Sequence, residues 1–367
     1  MNVLNTNEEF IFGQHLQNLN TKWEDFSREI KDMQTKDTFS ILYAADIHYI
    51  RMYAKYVPAY YKVKEMVEFS KFAGFDLMAI AGDIVDGNTT LKRQKRDLYD
   101  IITLVRESKT TSVAISKGNH DDNSWYTFKN DLGLESVLSC DEWYSHVINP
   151  IRVQYPIVLD SENMTGGYYY IDYPLHKIRV INLNTSDVPY VIDDEGKLIE
   201  EYCSQWNMGM SESQLIWLTE ALRFDEPGWA VIFISHTHPT EKDRLGKTVS
   251  NGTLAWEIIN AYKNGEKGVV KSDNKYYEAN VEFDFSENKS NEVLLYLHGH
   301  IHEDRVVVKD GITAVSTKRL LGNFNAEWDK PEQNVDGGWN CILIDRKNRH
   351  MQGIRYGKNK LKFNIDF

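Results

Sequence analysis

Five short apolar runs in this chain each stop abruptly at carboxylate, imidazole or amide groups, and no other feature limits the fold as much. Phe39–Ala45 runs into Asp46-Ile-His48, and Leu77–Ala81 into Gly82-Asp83-Ile-Val-Asp86. Ser112–Ser116 runs into Lys117-Gly118-Asn119-His120-Asp121. Trp229–Ser235 ends in His236-Thr-His238, and Val293–Leu297 in His298-Gly-His300-Ile-His302. Brief apolar runs bounded by polar residues read as buried strands. Helical stretches near Tyr60–Phe72 and Leu91–Ser108 separate the first three, an alternation that predicts an α/β fold with a buried sheet. Open sheets of this kind gather ligands beyond the carboxyl ends of their strands. The five polar endings are therefore expected to converge.

The later half is richer in strands. Tyr168–Tyr173, Lys177–Leu183, Arg305–Val308 and Ile312–Ser316 fit the pattern, and a meander is expected from Trp339 to Phe367. Ser211-Glu-Ser-Gln ahead of Leu215 has the character of a capped helix start. Residues 1–36 read as an amphipathic helix, with Leu4, Phe10, Ile11, Leu16, Leu19, Trp23, Phe26, Ile30 and Met33 at roughly helical spacing. Residues 37–367 form the second unit. Two stretches within it, 186–210 and 240–291, fit neither pattern and are expected to be insertions over a functional face.

Acidic residues outnumber basic ones, 54 against 42, for a net charge of −12. Binding along nucleic acid or an anionic membrane needs a basic field, so no extended nucleic-acid surface is expected. An anionic small molecule is still compatible, because bound metal ions reverse the local sign. Cys140, Cys203 and Cys341 are scattered and odd in number, which argues for a reducing compartment over a disulfide framework. The polar start lacks the features of a signal peptide, and no apolar run is long enough to span a membrane. The expectation is a cytoplasmic protein; oligomeric state is open.

Each polar block is weak evidence alone, but the ordered set is specific. Asp46-x-His48, Gly82-Asp83-x-x-Asp86, Gly118-Asn119-His120-Asp121, His236, and Gly299-His300-x-His302 together resemble the calcineurin-like metallophosphoesterases over about residues 37–320. The resemblance implies a four-layer αββα sandwich, two mixed sheets face to face with helices outside, and two divalent metal ions. Asp46, His48, Asp83 and His302 would hold one ion, and Asp83, Asn119, His236 and His300 the other, with Asp83 bridging. Imidazole, carboxylate and amide donors suit Mn, Fe or Zn. A metal-bridging hydroxide would attack phosphorus in line, since coordination lowers the pKa of water from 15.7 towards ~7. His120 would protonate the leaving oxygen with Asp121 orienting its ring, and Asp86 would hold a metal ligand through hydrogen bonds. Whether His236 or His238 is the ligand is open; His236 continues the strand directly. His298 is expected to be structural.

Within the family, the phosphoprotein branch carries an arginine where Gly87 stands and a glutamate where Asp121 stands. Those departures favour a phosphodiesterase acting on a small phosphoester, with a phosphomonoesterase or a non-catalytic metal-binding module as alternatives. Arg51 is a candidate phosphate contact, and Lys117, Lys318 and Arg319 also lie near the blocks. His300-Ile-His302-Glu-Asp304 is similar to the His-x-His-x-Asp-His motif of metallo-β-lactamases, but Arg305 fills its last position and that reading leaves Asp46, Asp83 and Asn119 unused.

Overall fold

β1 (Thr38–Ala44) is buried along its whole length, as are β2 (Leu77–Ile80) and β3 (Ser112–Ile115). Strands covered on both faces are continuous apolar runs, and these three pair in parallel. The computed structural model describes residues 23–52, 57–243, 245–320, 338–357 and 362–367. The register aligns Ala44 with Ile80 and Ile80 with Ile115, so the chain leaves the sheet at one level after each strand. The helices Val57–Phe72 and Leu91–Val105 supply the crossovers that parallel pairing requires.

A second sheet contains β4 (Val158–Leu159), β5 (Tyr169–Tyr173), β6 (Ile178–Asn182) and β7 (Ala230–Ser235). It continues through β10 (Glu292–His298), β11 (Arg305–Lys309) and β12 (Ile312–Ser316), in the order β11-β12-β10-β7-β6-β5-β4. Here Ser235 pairs with His298 and His298 with Ser316, again levelling the strand ends. The meander β13 (Gly338–Asp345), β14 (His350–Gly357) and β15 (Lys362–Asp366) completes the first sheet as β15-β14-β13-β1-β2-β3.

β7 shows how the layers form. Ala230, Ile232 and Ile234 belong to the core shared with Ile41, Leu77 and Val113 of the first sheet, whereas Val231 and Phe233 point the other way. That second face packs on Leu215 and Leu218 of the helix Glu212–Ala221 and on Ala255 and Ile259 of the helix Gly252–Asn264. Alternation along one strand thus feeds two cores, and the architecture is helix, sheet, sheet, helix. On the outer face of the first sheet, Trp23, Phe26 and Ile30 of a helix at residues 23–33 are buried. Phe26 lies 5.1 Å from Tyr356 between ring centres, and Phe69 lies 4.9 Å from Trp339. The rest of the expected N-terminal helix, residues 1–22, lies outside the described residues.

Residues 240–291 differ from expectation. Where a long loop is expected, they contain the helix Gly252–Asn264 and the hairpin of β8 (Lys267–Ser272) and β9 (Ala279–Asp284). The Gly and Asn content that suggested a loop marks the helix ends: Asn251 and Gly265 both adopt left-handed backbone there, φ 59° and 68°. Residues 186–210 are largely irregular, with one 3₁₀ turn, Glu200–Tyr202. Ser211 caps the following helix by accepting from the Gln214 N–H, as the sequence indicates.

Candidate metal centre

The levelled strand ends deliver Asp46 and His48 after β1, Asp83 after β2, Asn119 and His120 after β3, His236 after β7, and His300 and His302 after β10. Asp46, His48, Asp83, Asn119 and His236 are buried, while His120, His300 and His302 are half-buried at the rim. Asp46, His48, Asp83, His300 and His302 all have positive φ, between 47° and 69°. Left-handed backbone costs a non-glycine residue about 1–3 kcal/mol, and such strain concentrates at functional sites.

Two glycines make the approach close enough. A Cβ on Gly82, at φ +79°, would sit 2.6 Å from His236 Nδ1. One on Gly118 would sit 2.1 Å from the Asp83 backbone nitrogen.

The donors form two groups that meet at Asp83. In the first, His48 Nε2 is 3.2 Å from His302 Nε2 and 3.4 Å from Asp83 Oδ2, and His302 Nε2 is 3.3 Å from Asp46 Oδ1. In the second, His236 Nε2 is 3.3 Å from Asp83 Oδ2 and 2.7 Å from Asn119 Oδ1, which also faces His300 Nδ1 at 2.9 Å. His236 Nδ1–H donates to the Ala81 carbonyl at 2.8 Å, turning Nε2 towards the centre. Asn119 Nδ2 donates to the Gln205 carbonyl, 3.1 Å, so its amide oxygen faces the imidazoles.

Imidazole, carboxylate and amide donors converge here within 2.7–3.4 Å of one another, a mixed set of a kind that fits divalent cations. The electrostatics agree. Burial disfavours a charged His236, but the Asp83 and Asp46 carboxylates outweigh it and push its pKa up to about 9. Burial and the Arg319 guanidinium lower His48 to about 3, and burial with the His236 charge lowers His300 to about 4. Burial opposes the Asp83 charge as well, yet the surrounding imidazoles hold its carboxyl well below the usual range.

His238 stands apart from these donors. Its ring packs 4.8 Å from Trp256 and 5.0 Å from Tyr296, and its Nδ1 accepts from the Thr240 N–H at 3.3 Å. The structure brings His236, not His238, to Asn119 and Asp83. His298 is buried beside His238, with ring centres 5.3 Å apart.

Two expectations are corrected. Asp121 does not orient His120: it turns back and accepts from the Gly118 and Val85 N–H groups, at 2.7 and 3.1 Å, tying the loops after β2 and β3 together. Burial and the nearby Asp83 charge raise its pKa to about 7. The His120 ring is held instead by the Asp86 carbonyl, 2.7 Å from Nδ1, while the Asp86 carboxylate stands 3.4 Å from His48 Nδ1. Arg51 is not turned to the centre either, because Asp100 on the helix Leu91–Val105 holds its guanidinium at 3.3 Å.

Lys117 is internal, donating to Tyr190 Oη at 2.7 Å and the Ser186 carbonyl at 3.2 Å. Asp304 pairs with Arg355, so the carboxylate that the β-lactamase-like pattern would need is engaged elsewhere. Residues that the sequence did not single out also reach the site. Ser204 Oγ donates to the Asn119 carbonyl at 2.9 Å, and Asp243 Oδ2 comes within 4.0 Å of His300 Nε2.

Two mixed sheets that carry carboxylates, imidazoles and an amide to one rim define the dinuclear metallophosphoesterase class. The profile of the calcineurin-like phosphoesterase family matches residues 39–240, and the chain belongs to that family. Among curated proteins it is similar to the manganese-dependent ADP-ribose/CDP-alcohol diphosphatases of Mus musculus, 24% identical over 207 residues, and Homo sapiens, 25% over 208. Each match takes in 49% of this chain, and the chain spans 56% and 55% of those relatives' lengths, about half. The solved structure of a dimetal phosphatase from Danio rerio shares the fold with a TM-score of 0.56 at 16% identity, covering 88% of this chain and 98% of that one. Among the described residues, no helix is long and apolar enough to cross a membrane.

Proposed function

We propose that this chain hydrolyses small phosphoesters with two divalent cations, Mn²⁺ foremost, and takes phosphodiesters or diphosphate-linked esters at least as well as monoesters. One observation carries the reading: Asp83 Oδ2 lies 3.4 Å from His48 Nε2 and 3.3 Å from His236 Nε2, between two donor groups. Asp46, His48, Asp83 and His302 would hold one cation, and Asp83, Asn119, His236 and His300 the other. Bound there, such a pair neutralises phosphoryl charge and lowers the pKa of water.

The chain's own residues do the rest. His120 donates its Nδ1 proton to the Asp86 carbonyl, an acceptor only, which leaves Nε2 to carry the proton for the departing oxygen. Asp86 thereby positions two imidazoles, His120 through its carbonyl and His48 through its carboxylate. The Gly118 and Val85 N–H groups on Asp121 fix the loop that presents Asn119 and His120.

Three features support the diester preference. Gly87 stands where an arginine clamp for a dianionic phosphoryl group would be. Arg51 is committed to Asp100, and the named substrates of the mammalian relatives are diphosphate-linked. A cytoplasmic setting is consistent with Cys140, Cys203 and Cys341 all being free thiols.

The test compares kcat/KM for an aryl monoester, an aryl diester and a nucleoside diphosphate ester after Mn²⁺ loading. The diester or diphosphate ester is expected to match or exceed the monoester. A monoester preference of about tenfold, roughly 1.4 kcal/mol in barrier, overturns the diester reading. Two bound Mn²⁺ without turnover of any of the three overturns the enzyme.

A further inference from the structure

We propose that Arg355 and Asp304 are positioning residues, a brace that fixes the loop bearing His300 and His302; the proposal rests on the metal-centre reading above. Arg355 sits on β14 in the first sheet and is fully buried. Its guanidinium crosses to the second sheet and grips both carboxylate oxygens of Asp304, Nη1 to Oδ2 at 2.7 Å and Nη2 to Oδ1. Asp304 lies two residues past His302.

The same guanidinium donates to Thr317 Oγ1 at 2.6 Å and to Asn340 Oδ1 at 3.2 Å. Asn340 Nδ2 in turn donates to Thr317 Oγ1 at 2.8 Å, and the Lys318 N–H to Asp304 Oδ1 at 2.9 Å. The loops after β10 and β12 are thus tied to one guanidinium in the opposite sheet. Beyond them, the Leu320 N–H reaches the Asp46 carbonyl at 3.4 Å.

A bulk contribution to stability is a poor explanation for this cluster. Desolvating a buried ion pair costs about as much as its attraction returns, and apolar replacements are often as stable. What a bidentate fork supplies is direction. Direction is what the loop needs, because His300 and His302 both hold left-handed backbone, φ 69° and 55°. Strained residues persist only where their surroundings over-determine them. Groups that orient metal ligands from behind typically change metal affinity 10–100-fold when removed.

The experiment measures Mn²⁺ binding to the full chain by the electron paramagnetic resonance of free Mn²⁺, alongside melting of the metal-free protein. Arg355→Lys keeps the charge but loses the fork, and Asp304→Asn keeps the volume but loses the charge. Arg179→Lys is the control. That guanidinium also pairs with a carboxylate, Asp172, at 2.7 Å, and its other hydrogen bond goes to the Ala221 carbonyl at the end of the helix Glu212–Ala221.

Both brace variants are expected to bind Mn²⁺ about 10–100-fold more weakly, with kcat recovering at saturating Mn²⁺, and Arg179→Lys to bind as wild type does. If either brace variant fails to fold, Thr317→Val, which removes one arm of the brace, carries the test with a smaller loss expected. Unchanged affinity in the folded variants, or an equal loss in Arg179→Lys, overturns the brace. A wild-type chain that binds no Mn²⁺ overturns the metal centre and the brace together.

Discussion

Replacing Gly118 by alanine adds a single carbon, and the structure says what it must displace. The new Cβ would stand 2.1 Å from the Asp83 nitrogen and 2.2 Å from Asp83 Oδ1, where real contacts are not closer than 3.0 Å. Reaching even that limit requires a shift of 3.0 − 2.1, or 0.9 Å, against rigid backbone. Relief has few directions. Gly118 N–H is bonded to Asp121, and Asp83 Oδ1 accepts from the His120 N–H at 2.9 Å. The carboxylate shared by both donor groups therefore moves by about 1 Å.

A misplacement of that size costs roughly 100-fold in rate, about 2.7 kcal/mol in barrier, while overpacking one methyl costs about 1–3 kcal/mol of stability. The assay is kcat/KM on an aryl diester at saturating Mn²⁺, beside a melting curve. A folded Gly118→Ala within threefold of wild type would refute the claim that Asp83 must hold its place to within an ångström.

Asp83→Asn should bind fewer than two Mn²⁺ per chain by elemental analysis and lose turnover with them; two retained metals and normal rate would end its bridging role. His120→Ala should keep its metals and lose about 10²–10⁴-fold on alkoxide leaving groups, but less on an activated aryloxide; equal losses would remove it as the general acid. Burial, reinforced by the neighbouring Asp100, raises the Asp97 carboxyl to about 7. Its folded value exceeds its unfolded one, so the stability it contributes below about pH 4 is lost as pH rises through 7. Asp97→Asn should accordingly melt higher than wild type at pH 8 and alike at pH 4, and equal melting at pH 8 would contradict the cause assigned.

The strand ends were legible because a strand buried on both faces must be an unbroken apolar run, and parallel register brings the ends of such runs level. Residue chemistry then distinguished the site, since carboxylates and imidazoles at five adjacent ends have few other uses. Partners across space were not legible. Asp121 follows His120 in sequence, yet its carboxylate turns back to Gly118 and Val85, and the neighbour in space is the carbonyl of Asp86, 34 positions earlier. Arg51 lies three positions past His48 but is captured by Asp100, 49 positions on. The helix Gly252–Asn264 was hidden because its capping Asn251 and Gly265 carry the composition of a loop. Nothing local to Arg355 reveals a role, because its partners sit on other strands and loops.

The donors are divided between the two sheets: Asp46, His48, Asp83 and Asn119 ride on the first, His236, His300 and His302 on the second. A cation pair held there is a rivet through the seam. Folding and metal uptake become one linked equilibrium, in which each ion at 100 times its Kd adds about 2.7 kcal/mol to the joint. The reverse also holds. Sliding one sheet over the other would change the gap between the donor groups, so a loosening of the core between the sheets is expected to weaken metal uptake.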